Sequence, residues 1–291
     1  MAQQKLFMKI LITGVNGQVG HALMQELIDQ ELIGLTRKDC DLTNLDQIRQ
    51  VIDQHQPDLI INPAAYTKVD QAEDEPELAF KINRDAPRVM AEKAREYNIP
   101  LIHFSTDYVF DGTKKVAYVE DDPTHPLGVY GQSKSVGEEV IQAAGGLTYI
   151  LRTSWVYSNI GHNFFLTMKR LSQESDELKV VTDQFGVPTS NQFIAKQMKA
   201  IIPKLTDNNT GVYHLVPDGS CSWFEFAQAI IGQTNPQFNL NNVYPTVTHE
   251  FPTKTQRPKN SILNNAKIKK VFDLNLSEWQ SCLSQVISEE L

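Results

Sequence analysis

An apolar run, Lys9-Ile10-Leu11-Ile12-Thr13, passes without a linker into Gly14-Val15-Asn16-Gly17-Gln18-Val19-Gly20, and from there into a helical stretch over 19–29. No other feature of the chain restricts its fold as much. Glycines at a strand end let the backbone turn tightly and come close to a phosphate. The helix after them offers unpaired N–H donors at the positive end of its dipole. The spacing is G-x-x-G-x-x-G, one residue longer between the first pair than the usual dinucleotide fingerprint. Glycine triplets are common, and the position of this one, after a first strand and before a helix, makes it read as a dinucleotide turn that includes Asn16.

The same alternation continues. Strands are expected at 32–35, 59–62, 101–105 and 149–152, with helices at 45–55, 78–97 and 133–143 between them. Short buried strands separated by helices imply parallel βαβ units, hence an α/β, Rossmann-type doubly wound parallel sheet. Beyond Arg152 the pattern loosens. Segments 180–182 and 211–215 still read as strands, with a helix over 192–205 between them and two helices near the end. The expected division is a nucleotide-binding part, 1–157 plus 178–215, and a smaller, sequence-interleaved C-terminal substrate-binding part, 158–177 plus 216–291.

Charge and composition remove several classes. A net charge of -8 argues against nucleic acid and anionic membrane as partners, since both need a basic surface. No apolar run reaches the roughly 18 residues of a membrane helix. The start, Leu6 to Ile12, reads as a first strand and not a signal peptide, because it is interrupted by Lys9 and lacks a cleavage-like site. The cysteines, Cys40, Cys221 and Cys282, fit no zinc spacing, and their odd number suits reduced, buried thiols in the cytoplasm. No metal is expected.

The residues just past the second strand bear on the cofactor. An acid there accepts from the ribose 2′-OH of NADH and repels a 2′-phosphate. Here Thr36-Arg37-Lys38 come after Leu35, and a guanidinium suits a phosphate dianion. Arg37 therefore favours NADPH, while Asp39 and Asp41 keep NADH possible. Further on, Tyr130 and Lys134 stand four residues apart in Tyr130-Gly131-Gln132-Ser133-Lys134, on one face of an expected helix. A free phenol is a poor acid at neutral pH, and a nearby ammonium lowers its pKa. Thr106, in Ser105-Thr106-Asp107-Tyr108, lies at the carboxyl end of a strand, where ligands bind in open α/β sheets, and a hydroxyl there can share charge on a reacting oxygen. His103, inside that strand, reads as a core residue.

With these residues in hand, the chain resembles the dTDP-4-dehydrorhamnose reductase family of extended short-chain dehydrogenases/reductases. The likeness runs from Met8 nearly to the end, through Asn62-Pro63-Ala64-Ala65-Tyr66-Thr67, Ser105 to Phe110, Tyr130 to Lys134, Arg152 to Tyr157, Asp183 to Thr189 and Arg257 to Ser261. The resemblance implies reduction of the C4 ketone of dTDP-4-dehydro-β-L-rhamnose to dTDP-β-L-rhamnose by NADPH, with Tyr130 as proton donor, Lys134 its partner and a contact of the nicotinamide ribose, and Thr106 at the position where wider relatives carry Ser. It also implies that Gly14, Gly17, Gln18 and Val19 cradle the pyrophosphate. Asp41 and Leu42 would lie beside adenine, and Ala64, Ala65 and Tyr66 would line the nicotinamide half. Val69, Thr106, Asp107 and Trp155 would meet the sugar nucleotide, and Arg257, in a late loop, would hold its diphosphate. Ala22 stands where some relatives carry a Glu that bridges a dimer through magnesium, so the chain is read as monomer or homodimer. Two other readings stand beside the first: a reductase of another dTDP-4-keto-6-deoxysugar, and a non-catalytic regulatory subunit like those of methionine adenosyltransferase, which share this fold.

Overall fold

The computed structural model describes residues 7–289, so Leu6, the start of the first apolar run, lies outside the described residues. Six parallel strands form the central sheet, in the spatial order Gly211–His214, Thr148–Thr153, Leu101–Thr106, Leu59–Asn62, Lys9–Thr13, Glu31–Leu35. The inner strands are apolar on both sides because both sides are covered. Ile10, Ile12, Leu59 and Ile61 pack against Leu23, Phe193, Ile194 and Met198, which come from helices Gln18–Glu26 and Asn191–Ile201. Leu11, Ile60 and Leu101 face the other way, onto Ile48, Val89, Met90 and Ile141 of helices Leu45–His55, Ala86–Tyr97 and Val129–Ala144. The chain leaves the first strand in one direction to reach the second and in the other to reach the third. A crevice opens at that switch, between the carboxyl ends of Lys9–Thr13 and Leu59–Asn62.

A second lobe is built from helices Phe164–Glu174, Trp223–Thr234 and Trp279–Ser288 around Phe165, Phe226 and Leu283. One expected strand belongs here and not with the sheet. The segment read as 180–182 is the strand Leu178–Val181, which pairs in parallel with Val243–Thr246, away from the six strands. Its pattern explains why: Leu178 and Val180 are buried in the second lobe's cluster while Lys179 is exposed. A strand with one wet face has no place inside a sheet covered on both sides. The nucleotide part assigned to 178–215 therefore begins with a strand that packs in the smaller lobe.

The helix expected over 78–97 is interrupted. Helix Pro76–Phe80 passes into a π-helical turn, Lys81–Asp85, before Ala86–Tyr97 resumes. Pro87 has no N–H to give the carbonyl of Asn83 four residues back, and the wider turn absorbs the mismatch. The freed carbonyl is covered by Gly137 of the neighbouring helix, where a Cβ would come within 2.1 Å of it. This close approach seats helix Val129–Ala144, which carries Tyr130 and Lys134.

Cys40, Cys221 and Cys282 are all buried and free. Burial pushes the thiols of Cys40 and Cys282 up to about 11, so both stay protonated near neutral pH. Among the described residues no helix is long and apolar enough to cross a membrane.

Candidate active site

Gly14 adopts φ +60°, and a Cβ on it would stand 2.9 Å from the Cβ of Ala64. Only glycine lets the turn and the loop after the third strand come so close. Gly17 is the N-cap of helix Gln18–Glu26 and offers no side chain to its free N–H groups, so they remain for a ligand. Gly20 packs the helix onto the turn: a Cβ there would meet Gly14 O at 2.4 Å. The Gln18 side chain is engaged elsewhere, accepting from Ser158 Oγ at 2.7 Å and Asn163 Nδ2 at 2.9 Å, which ties the turn to the second lobe. Asn16 is exposed and Val19 half-buried beside it.

Beside this turn lies a cleft of about 420 Å³, lined among others by Gly14, Arg37, Asp41, Leu42, Ala64 and Tyr66. Ala65 lines it too. Residues far apart in sequence and singled out for a dinucleotide thus share one wall-to-wall space. The two acids that kept NADH possible are tied into local turns. Asp39 accepts from Thr36 N and Oγ1 at 2.9 and 2.6 Å, and Asp41 from Thr43 N and Oγ1, both at 2.9 Å. Those bonds hold both carboxyls below the usual carboxylate range. Arg37 is exposed on the same wall, with no hydrogen-bond partner among the described residues.

Tyr66 connects the cleft to Tyr130, because it lines the cleft and shares an apolar cluster with that residue. Its loop is clamped by Asn83, whose Oδ1 accepts from Tyr66 N at 2.8 Å while Nδ2 donates to Tyr66 O and to Ser133 Oγ, both at 3.0 Å. Asn83 escaped the sequence reading. Its signal was a buried amide four residues before a proline in a helical stretch.

Tyr130 lies edge-on to Tyr108, centroids 5.8 Å apart. Its tightly packed surroundings push the phenol's pKa well above the usual value; the Thr106 hydroxyl pulls the other way, and the nearby charge of Asp107 adds to the rise. Thr106 closes strand Leu101–Thr106, with Oγ1 donating to Asp107 Oδ1 at 3.1 Å and accepting from Tyr108 N at 3.2 Å. Lys134 differs from expectation. It sits one helical turn from Tyr130, yet no hydrogen bond joins the two. Lys134 Nζ donates to Phe104 O at 2.6 Å and lies 3.1 Å from His103 Nε2. Burial lowers its pKa to about 8, a fall that Glu138 partly opposes. In this structure it is Thr106, not the ammonium, that eases ionisation of the phenol.

Asp107, 1 % exposed, has its carboxyl pushed up to about 6 by burial, against the hydroxyls of Ser261, Thr106 and Ser154. An acid whose folded pKa is raised holds its proton more tightly folded than unfolded. Stability therefore falls as pH rises from about 4 to about 6, and above that the full cost is carried. Asp107→Asn is expected to raise the thermal midpoint at pH 7.5 by a few degrees, consistent with about 1–3 kcal/mol, and to give no gain at pH 4. Calorimetry of both proteins across pH checks this; an equal gain at both pH values would refute the buried-charge account.

The expected sugar-nucleotide contacts are spread over both lobes. Trp155 stands at φ +47°, rare for a large residue, stacked on Trp223 with centroids 3.5 Å apart and across Gly186, where a Cβ would meet its ring at 2.4 Å. Val69 O accepts from Thr255 Oγ1 at 3.1 Å, and Arg257 donates to Asp70 Oδ2 at 2.8 Å while lying over the Tyr108 ring. Arg257 is therefore already paired, and Asp70 and Thr255 join the residues that sequence reasoning missed. Ala22 is buried in the main core.

Known proteins resemble this chain along nearly its whole length. Residues 8–291 match the family described as RmlD substrate binding domain. The chain is 41% identical over 288 residues to a dTDP-4-dehydrorhamnose reductase of Aggregatibacter actinomycetemcomitans, covering 96% of this chain and 98% of that one. It is 39% identical over 289 residues to the same enzyme of Sinorhizobium fredii, covering 96% and 97%. Among solved structures, the dTDP-4-dehydrorhamnose reductase of Bacillus anthracis in complex with NADP has a TM-score of 0.92 at 37% identity, covering 98% of this chain and all of the other.

Proposed function

The chain belongs to the RmlD substrate-binding-domain family of dTDP-4-dehydrorhamnose reductases, and from that premise we propose that it reduces the C4 ketone of dTDP-4-dehydro-β-L-rhamnose to dTDP-β-L-rhamnose with NADPH, in the cytoplasm. The observation that carries this reading is that Tyr66 belongs both to the cleft beside the glycine turn and to the cluster around Tyr130. The residues present fit the cofactor. Gly14 has no room for a side chain, the helix start at Gly17 is uncapped, and a cation stands on the wall where a 2′-phosphate would lie.

NADPH, when bound, supplies the hydride. Gly14, Gly17 and the first turn of helix Gln18–Glu26 would hold its pyrophosphate, Arg37 its 2′-phosphate, and Ala64, Ala65 and Tyr66 its nicotinamide half. Tyr130 gives its proton to the carbonyl oxygen as charge builds there, and Thr106 donates to the same region so that neither oxygen carries the full charge. Thr106 gives up its resting bond to Asp107 Oδ1 to make that donation. Val69, Asp107 and Trp155 bind the sugar, and Arg257 exchanges the carboxylate of Asp70 for the substrate diphosphate. Binding energy at the nucleotide then serves to align the ketone.

The test is to incubate the protein with the 4-keto-6-deoxy-L-sugar nucleotide and each reduced cofactor, following cofactor absorbance and identifying the product by NMR. NADPH is expected to be oxidised with formation of the L-rhamnosyl nucleotide, and absence of oxidation with either cofactor overturns the reading. In the same assay Arg37→Ala is expected to weaken NADPH about 10- to 100-fold and leave NADH nearly unchanged, the worth of one charge-assisted phosphate contact. Equal losses with both cofactors would remove Arg37 from 2′-phosphate recognition.

A further inference from the structure

Lys134 is 2 % exposed and forms no ion pair among the described residues. Its neighbours belong instead to a buried hydrogen-bonded chain that crosses the sheet. Thr13 Oγ1 donates to Asn62 Oδ1 at 2.6 Å, Asn62 Nδ2 meets His103 Nδ1 at 2.9 Å, and His103 Nε2 meets Lys134 Nζ at 3.1 Å. Thr13 is 2 % exposed, and Asn62 and His103 are fully buried. These residues come from three adjacent strands, so the sheet itself sets their spacing.

The donor order along this chain can be followed from its far end. Thr13 Oγ1 accepts from the Ala64 N–H, in the loop beside Gly14, at 3.4 Å and gives its own hydrogen to Asn62 Oδ1. Asn62 then presents its NH2 to His103, and Nδ1 must accept. Burial disfavours imidazolium at His103. A neutral imidazole that accepts at Nδ1 carries its hydrogen on Nε2. That hydrogen points at Lys134 Nζ. An ammonium has no lone pair to receive it, whereas an amine accepts from Nε2 and still donates to Phe104 O.

We propose that Thr13, Asn62 and His103 act as a positioning chain that favours the amine over the ammonium at Lys134 while the dinucleotide cleft is empty, and that charging Lys134 requires the whole chain to reverse, back to the Ala64 loop. In the reversed order His103 Nε2 accepts from the ammonium, Nδ1–H donates to Asn62 Oδ1, and Asn62 Nδ2 donates to Thr13 Oγ1. The threonine hydrogen is then free to point into the cleft that Thr13 lines. A ligand acceptor at that position favours the reversed order, so filling the cleft and charging Lys134 assist each other. The inference rests on the reductase reading for its consequence and not for its test. Of the titratable and charged groups, His103 from the neighbouring strand faces Lys134, and Glu138 from its own helix acts on it while being taken by Arg152 of the next strand at 2.7 Å.

The experiment is histidine side-chain 15N NMR on the full-length, ligand-free protein at about pH 9, where the Lys134 amine predominates. His103 is expected to be neutral, protonated at Nε2 and bare at Nδ1; the opposite tautomer, or an imidazolium, overturns the proposal. Two variants then probe the chain without touching Lys134. Thr13→Val removes the hydroxyl that orients Asn62, and Asn62→Asp offers only acceptors to His103. Both are expected to move the His103 hydrogen to Nδ1 and to shift the high-pH limb of the ketone-reduction profile upward by about one pH unit. A purely structural role would lower activity at every pH with the limb unmoved, and that result also overturns the proposal. Failure of the wild type to reduce the ketone would sink the substrate assignment alone, since the tautomer is read without substrate.

Discussion

Replacing Tyr130 by Phe is expected to lower ketone reduction by about a hundred- to ten-thousand-fold while the dissociation constant for NADPH stays within a factor of two or so. The reason lies in which form of the phenol the reaction uses. A reduction needs a proton donor, and surroundings that push the phenol well above its usual pKa keep it fully protonated at neutral pH. The same surroundings make the departing phenolate costly, and the Thr106 hydroxyl reduces that cost. Phe keeps the ring, its edge contact with Tyr108 and the packing against Tyr66, and loses only the proton. Single-turnover reduction and a fluorescence titration with NADPH separate the two effects. Turnover close to wild type would remove Tyr130 from the chemistry, and a parallel loss of cofactor affinity would show that the hydroxyl serves binding.

How far the sequence foretold this site depends on whether an interaction is local. The parallel sheet was legible because each inner strand is buried on both sides, and Leu59-Ile60-Ile61 or Ile10-Leu11-Ile12 can hardly be anything else between helices of amphipathic spacing. The glycine turn was legible because it joins neighbouring residues. The spacing of Tyr130 and Lys134 correctly implied a shared helix, but not where a four-carbon side chain would lead its nitrogen. That depended on Phe104 O and His103, fixed only by strand pairing. His103 was read as core, and it is core; its role as a link between Asn62 and Lys134 needed the register of three strands. The Arg257–Asp70 pair spans 187 residues and left no trace in either neighbourhood. Some of the second lobe could have been read. Ser222-Trp223-Phe224-Glu225 is a capping box, and it opens helix Trp223–Thr234 with Ser222 and Glu225 bonded reciprocally. The π-helical turn also had a local cause in Pro87, although its consequence, a carbonyl free to meet Gly137, required the partner helix.

Arg152→Met is expected to destabilise the fold by about 3–5 kcal/mol, a loss large enough to threaten folding at physiological temperature. Arg152 and Glu138 are each about one-twentieth exposed at the side chain and are bonded through two of the three guanidinium nitrogens, Nε and Nη2, with the shortest contact at 2.7 Å. Ser105 Oγ also donates to Glu138 Oε1 at 2.5 Å, and Arg152 Nη1 donates to Glu120 O at 3.3 Å. Methionine fills much of the volume but leaves Glu138 charged inside the sheet–helix interface, where solvent cannot compensate it. The desolvation of an unpaired carboxylate, not the lost attraction, dominates the expected cost. The double variant Arg152→Met/Glu138→Gln separates the two, because it removes the stranded charge and keeps an acceptor for Ser105. It is expected to recover most of the loss in urea unfolding. Equal destabilisation of single and double variants would mean that the arginine's packing, including its position over the Phe110 ring, outweighs its charge. The two outcomes also differ for the proposed reacting centre. Ser105 and Arg152 sit opposite each other in the paired strands one residue before Thr106 and Thr153, so a charge stranded on Glu138 loosens the strand end that carries Thr106. Ketone reduction in the single variant should then fall at temperatures well below its unfolding midpoint, and return in the double.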